Sequence, residues 1–119
     1  VLPFDNMPRN TTYSTTSTVW ANVDATNLSS FMTTTGGNVL LGLQASCRTA
    51  ASNQINLRVA IDGDNIFHIR IDDNTNNNNA SFVGVAYNLP AGSHVFRLQW
   101  QVTGGTNYLV APLFWTREV

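Results

Sequence analysis

Lysine is absent from the 119 residues, and all six basic side chains are arginine. With seven acids the net charge is −1, which supplies neither the basic stripe of a nucleic-acid binder nor a pull toward anionic lipid. Charged residues make up 11% of the chain, less than half of the roughly 25% usual in globular proteins. Asn, Thr and Ser stand in their place. A surface of neutral amides and hydroxyls fits lateral packing against copies of itself, a rigid lattice, or sugar. Cys47 is the single cysteine, so no internal disulfide forms and a reducing cytosol is the expected folding compartment. No apolar run approaches the roughly 18 residues that span a bilayer, and no secretion signal is read at the start. Membrane insertion is therefore not expected. The chain opens on Val1, which fits loss of an initiator Met and excision from a longer protein equally.

Patterns that carry catalysis are just as scarce. His68 and His94 have no Cys, His or Glu at metal-ligand spacing, so a structural or surface role is expected for each. Asp62, Asp64 and Asn65 crowd one turn, and Asp72, Asp73 and Asn74 start another loop. Such oxygens can hold calcium, but there is no Gly at the sixth position and no terminal Glu, and Asp and Asn are ordinary turn residues. Five of the seven acids fall in these turns or near the N-terminus, leaving Asp24 and Glu118 without evident partners. There is no G-x-S-x-G elbow and no phosphate-cradling loop; Gly36-Gly37 and Gly104-Gly105 read as turns. We expect no enzyme and no cofactor.

What is present is strand pattern. Val1 to Asn10 has no period, two prolines and the isolated apolar residues Val1, Leu2, Phe4 and Met7. It reads as an extended arm, either frayed or docked on a neighbouring subunit. From residue 11 to 119 a single domain of short strands is expected. Thr11 to Val23 and Leu28 to Thr33 are the first two; then Val39, Leu41, Leu43, Ala45 and Cys47 share one face of a third. Ile55, Leu57, Val59 and Ile61 lead through Asp62-Gly63-Asp64-Asn65 to Phe67, Ile69 and Ile71, a strong hairpin signal. An Asn-rich loop follows, then Ser81 to Tyr87, the turn Leu89-Pro90-Ala91-Gly92, and a strand with Phe96, Leu98, Trp100 and Val102 inward. On that strand Val95, Arg97, Gln99 and Gln101 face outward. About eight strands with regular turns imply an all-β antiparallel sandwich of jelly-roll type.

The last strand, Asn107 to Val119, is apolar on both faces, so something covers the second face. We place Tyr108, Val110, Pro112 and Phe114 at a subunit interface and Leu109, Leu113 and Trp115 inward; an alternation this apolar also admits the reverse. Pro112 cannot donate to a ladder and marks an edge or a bulge. For Trp20, Trp100, Trp115 and Tyr108, a core or interface position is favoured over a sugar-stacking platform.

The stretches TTTGGNVLLGLQAS, RVAIDGDNIF and LPAGSHVFRLQWQV resemble jelly-roll domains of tailed-bacteriophage structural proteins, including tail-fibre heads and capsid decoration proteins. The resemblance covers roughly residues 11 to 116 and rests mostly on turn chemistry. It implies a trimeric, non-enzymatic virion protein, assembled in the host cytoplasm, whose partners are itself and other virion proteins. It carries no catalytic residues. A host-surface glycan is a further candidate partner, and the alternative function is a carbohydrate-binding module of a secreted or surface protein. Capsid and tail positions are not separated by the sequence.

Overall fold

The computed structural model describes residues 11–72, 76 and 78–119. The expected docking arm, with Val1, Leu2, Phe4 and Met7, lies outside the described residues. The described chain is all β: β1 (Thr12–Thr15), β2 (Ala21–Asn22), β3 (Ser29–Thr34), β4 (Gly37–Arg48), β5 (Gln54–Ile61), β6 (Asp64–Asp72), β7 (Asn78–Asn79), β8 (Phe82–Leu89), β9 (Gly92–Val102) and β10 (Asn107–Glu118). β2 and β7 have two residues each, so eight strands of four residues or more carry the fold. One sheet, A, runs β1-β10-β4, with β7 and β8 both on the far side of β4; the other, B, runs β2-β9-β5-β6, with β3 also on β9. Pairing is antiparallel throughout. The result is the expected two-sheet jelly-roll sandwich.

Alternation builds the core. Val39, Leu41, Leu43, Ala45 and Cys47 of β4 face Ile55, Leu57, Val59 and Ile61 of β5 and Phe96, Leu98, Trp100 and Val102 of β9, all buried. Burial pushes the Cys47 thiol up from its ordinary value, so it packs as a small hydrophobe. The β5–β6 hairpin closes on two residues: Asp62 and Gly63 have φ of 51° and 90°, the left-handed pair that a type I′ turn requires. Phe67, at φ 54°, is the extra residue of a bulge between its neighbours' pairings, Arg58 with His68 and Val59 with Ile66. Its ring lies against Gly84 of the opposite sheet, where a Cβ would come within 2.5 Å.

Two expectations need correction. The segment read as one strand from Thr11 to Val23 is split between the sheets, β1 in A and β2 in B. Ser17 breaks it: its hydroxyl donates to the Val19 carbonyl at 2.7 Å, and its N–H donates to Thr15 Oγ1 at 3.0 Å. Such local bonds compete with a sheet ladder. The larger correction concerns β10. Its pairing with β4 steps from Val110 opposite Ser46 to Leu113 opposite Gln44, so Ala111 and Pro112 together oppose Ala45. Ala111 sits at φ 49°. This bulge shifts the alternation by one residue. Leu109 points inward before it, while Pro112, Phe114 and Thr116 are buried after it. Tyr108, Val110, Pro112 and Phe114 therefore do not share a face. Phe114 has no exposed surface, and Leu113 and Trp115, expected inward, lie on the outer side with Tyr108 and Val110.

Candidate functional site

The two outer faces of the sandwich differ in chemistry: apolar residues gather on sheet A beside Gln44, Ser46 and Arg117, and a bonded polar cluster lies on sheet B. On sheet A, Leu40, Val83, Val85, Val110, Leu113 and Trp115 alternate with the core residues of their strands. Val83 is 68% exposed. The Trp115 indole lies against the buried Gly42, where a Cβ would approach Cζ2 to 2.5 Å; only glycine leaves room for a ring laid on the sheet here. At the other end of the strand Arg48 sits over the Tyr108 ring, 4.3 Å from its centroid. Beside the β10 bulge is a hollow of about 570 Å³, bordered by Ser46, Asn79, Val110 and Leu113.

On sheet B the outward residues around Trp20 are polar and mutually bonded. Arg58 sits over the Trp20 ring, 4.0 Å from its centroid, and His68 meets the same indole edge-on at 5.6 Å and 79°. Arg58 Nε donates to Gln99 Oε1 at 2.9 Å, and Gln99 Nε2 donates to Asn22 Oδ1 at 3.0 Å. Asn56, nearly buried, donates to Gln101 Oε1 at 2.9 Å, and its Oδ1 lies 3.0 Å from His68 Nε2. Phe31, 65% exposed, stands opposite Val95 at the other end of the face, next to the exposed Arg97. A hollow of about 210 Å³ bordered by Ala60, Asp62, Gly63, Val95, Arg97 and Gln99 lies beside them.

A third feature opens at the edge of the sandwich, between β6 and β8. It is an apolar hollow of about 590 Å³ lined by Ile66, Phe67, Val85, Ala86 and Leu89, with His94 and Asp62 at one end. The buried His94 places Nδ1 2.6 Å from Asp62 Oδ2 and Nε2 2.7 Å from the Pro90 carbonyl. Both partners are acceptors, so both ring nitrogens donate and the imidazole carries its charge. The Asp62 bond and then the Pro90 carbonyl raise the His94 pKa from its ordinary 6.5. His94 and then the Val95 N–H hold the Asp62 carboxyl below its ordinary value. Every polar atom of the pair is thus spent in tying the β5–β6 turn to the β8–β9 turn, and none is left for proton transfer.

Asp24, which the sequence left unpartnered, accepts the Tyr13 hydroxyl at 2.6 Å and the N–H groups of Thr26 and Asn27 at 3.0 Å each. Burial opposes its ionisation, but these donors outweigh it and lower the pKa to about 2. Burial, followed by Asp24, pushes the Tyr13 hydroxyl well above its ordinary 10. Among the described residues no group of three or more His, Cys, Asp or Glu could hold a metal ion. Among them also, no helix is long and apolar enough to cross a membrane. The sheet B cluster was missed because Trp20 was read as a core or interface residue. The signal was in the outward positions: Asn56 and Arg58 on β5 and Gln99 and Gln101 on β9 are large, polar and neighbouring.

Comparison with known proteins bears on the fold. No protein-family model matches the chain, and neither does any curated protein. Among solved structures it is similar to an infectious bursal disease virus VP2 subviral particle, at TM-score 0.58 and 9% identity over 98% of this chain and 31% of that one. It is also similar to the CBM36-1 domain of a multidomain xylanase from the hindgut metagenome of Trinervitermes trinervoides, at TM-score 0.55 and 11% identity over 92% and 97%. A structure described as CBM4 matches at TM-score 0.48 and 11% identity over 75% and 59%. The chain therefore spans less than two thirds of the VP2 and CBM4 chains it matches. At these identities the likeness is one of fold: a jelly-roll-like sandwich of the kind found in carbohydrate-binding modules and viral capsid proteins.

Proposed function

We propose that the chain is a non-catalytic, self-associating structural module of a tailed-phage virion, trimeric and placed on the capsid or in a tail fibre. One observation carries the self-association: on the outer face of sheet A an apolar patch of Val83 and Val85 from β8, Leu40 from β4 and Leu113 and Trp115 from β10 runs beside the polar Gln44 and Ser46, with Trp115 laid on Gly42 and Val83 68% exposed. Contiguous apolar surface of this kind is characteristic of interaction sites. The phage assignment comes from the resemblance of the turn motifs, and the jelly-roll likeness to a viral capsid protein is in keeping with it. This interface replaces the one expected from alternation. It keeps Tyr108 and Val110, drops Pro112 and Phe114, and adds Leu113, Trp115 and Val83.

Light scattering over a dilution series tests it. The parent chain is expected at three times its 13.0 kDa mass. Val83→Asp is expected to bring it to one, with far-UV circular dichroism unchanged, since Val83 is 68% exposed. A parent that is monomeric at every dilution overturns the reading.

A second reading, carbohydrate binding, is favoured by a separate observation. The outer face of sheet B presents Trp20 and Phe31 among Asn22, Asn56, Gln99 and Gln101, a combination of aromatic surface and amides that can both donate to and accept from hydroxyls.

A further inference from the structure

We infer that the outer face of sheet B is a binding track for an acidic oligosaccharide, with Arg97 and Arg58 as its anion-reading residues. The inference rests on the carbohydrate reading and adds the charge of the sugar. Of the five arginines among the described residues, Arg58, Arg70 and Arg97 stand on this face. Two carboxylates oppose them: Asp72, held by Arg70 at 3.1 Å, and Asp62 of the β5–β6 turn, which borders the hollow but is engaged by His94 and the Val95 N–H. Arg58 is committed through Nε to Gln99 and through its plane to Trp20, contacts that fix its position without neutralising it. The exposed Arg97 lies diagonal to Arg58 across the β5–β9 pairing, since Ala60 opposes Arg97 and Arg58 opposes Gln99. Arg97 borders the 210 Å³ hollow, and Arg58 stands one pairing further along the sheet, over Trp20. Planar guanidinium groups are suited to carboxylate and sulfate oxygens.

The spacing indicates an extended ligand. Phe31 stands at the level of Val95, and Trp20 precedes Ala21, which pairs with Trp100. Four to six strand residues separate these aromatics, about 14–20 Å at about 3.4 Å per residue. Along that length run Arg97, Gln99 with Arg58, and Gln101 with Asn56. The exposed Phe31 at one end, the Arg58-covered Trp20 at the other and amide groups between them match a chain of sugar rings bearing acidic groups. A single strand of nucleic acid could also stack on aromatics, but it calls for a continuous basic groove. This chain has no lysine and a net charge of −1.

Calorimetric titration of the full chain tests the assignment with tetragalacturonate, a heparin-derived tetrasaccharide and sialyllactose as acidic probes. Xylotetraose and cellotetraose are the neutral probes, and a short single-stranded oligonucleotide is the control. At least one acidic probe is expected to bind ten times more tightly than either neutral one. That binding should weaken with salt and fall about tenfold or more in Arg97→Gln, and again in Arg58→Gln, the scale of a charged hydrogen bond. Arg97 is exposed, so its variant should melt like the parent. Equal binding of acidic and neutral probes overturns the charge assignment and leaves the carbohydrate reading standing. Binding of none at millimolar concentration overturns both. Tighter binding of the oligonucleotide replaces the sugar with nucleic acid, and an unchanged Arg97→Gln variant moves the site off this face.

Discussion

Replacing Phe114 by Ala distinguishes a core position from an interface position. The ring has no exposed surface within the single chain, so truncation removes an entire aromatic from a close-packed interior. Changes of this kind cost about 3–5 kcal/mol, against a total of about 5–15 kcal/mol for a domain. In a chain of 119 residues, each kcal/mol moves Tm by about 4 °C. The expected drop is therefore about 12–20 °C. Scanning calorimetry at several protein concentrations measures it, and light scattering reports the mass of the same samples. Loss of core packing lowers the melt by one amount at every concentration, whereas loss of a subunit contact gives a deficit that depends on concentration. Val83→Ala is the internal control: the side chain is 68% exposed on the outer face of sheet A, so it should weaken association and change the fold's own stability little. If Phe114→Ala melts within about 3 °C of the parent while the assembly dissociates, the inward placement of Phe114 is refuted.

Three further outcomes follow from the same geometry. Gly42→Val would put methyl groups where the Trp115 ring lies; it should lift the indole, alter the Trp115 emission isolated by comparison with Trp115→Phe, and reduce the assembled mass. Unchanged emission would show that the ring does not rest there. The folded-state pKa of Asp24 is lowered to about 2, so its contribution is complete above about pH 4 and drains as pH falls toward 2. Urea midpoints should decline across that window in the parent and decline less in Asp24→Asn; parallel curves would count against the Tyr13–Asp24 bond. His94 has the opposite sign. Its pKa is raised above 6.5, so its stabilisation is present below that pH and disappears as pH rises through the folded-state value. A pH-jump melting series on the alkaline side should destabilise the parent but leave His94→Gln flat, and equal slopes would argue against a charged imidazole.

Strand identity was legible where alternation was undisturbed. β4, β5 and β9 each carry buried residues at every second position, and Asp62-Gly63 marked its own turn. The errors have local causes that do not disturb hydrophobic pattern. Ser17 ends β1 by bonding to nearby backbone, an event invisible in a Thr-rich run. The Ala111 bulge inverts the second half of β10. Two residues could register the shift: Pro112, which marks an edge or bulge, and Arg117, which is in phase with Leu113 and Trp115 and is exposed. The sheet B cluster was hidden for another reason. Its members come from β2, β5, β6 and β9, so their meeting is a property of the sheet order and of no single segment.

The absence of lysine also takes on a structural meaning. Arg58 and Arg48 sit over Trp20 and Tyr108, a use of charge that depends on a planar, weakly hydrated group and that an ammonium fills poorly. Arg58 adds a directed Nε bond to Gln99. Arginine here serves as a rigid cover for aromatic rings as much as a charge. That is why Arg58→Lys is expected to loosen Trp20 although the net charge is unchanged, an effect that time-resolved anisotropy of the Trp20 emission, isolated with Trp20→Phe, would detect. The two covers lie on opposite outer faces, Arg48 on sheet A and Arg58 on sheet B. Association through sheet A would bury the first and leave the second facing away from the assembly. The proposed self-association and the proposed sugar binding would therefore not compete for surface. Disrupting one with Val83→Asp should leave the intrinsic affinity of each sheet B face unchanged and lower only the avidity of the assembled set.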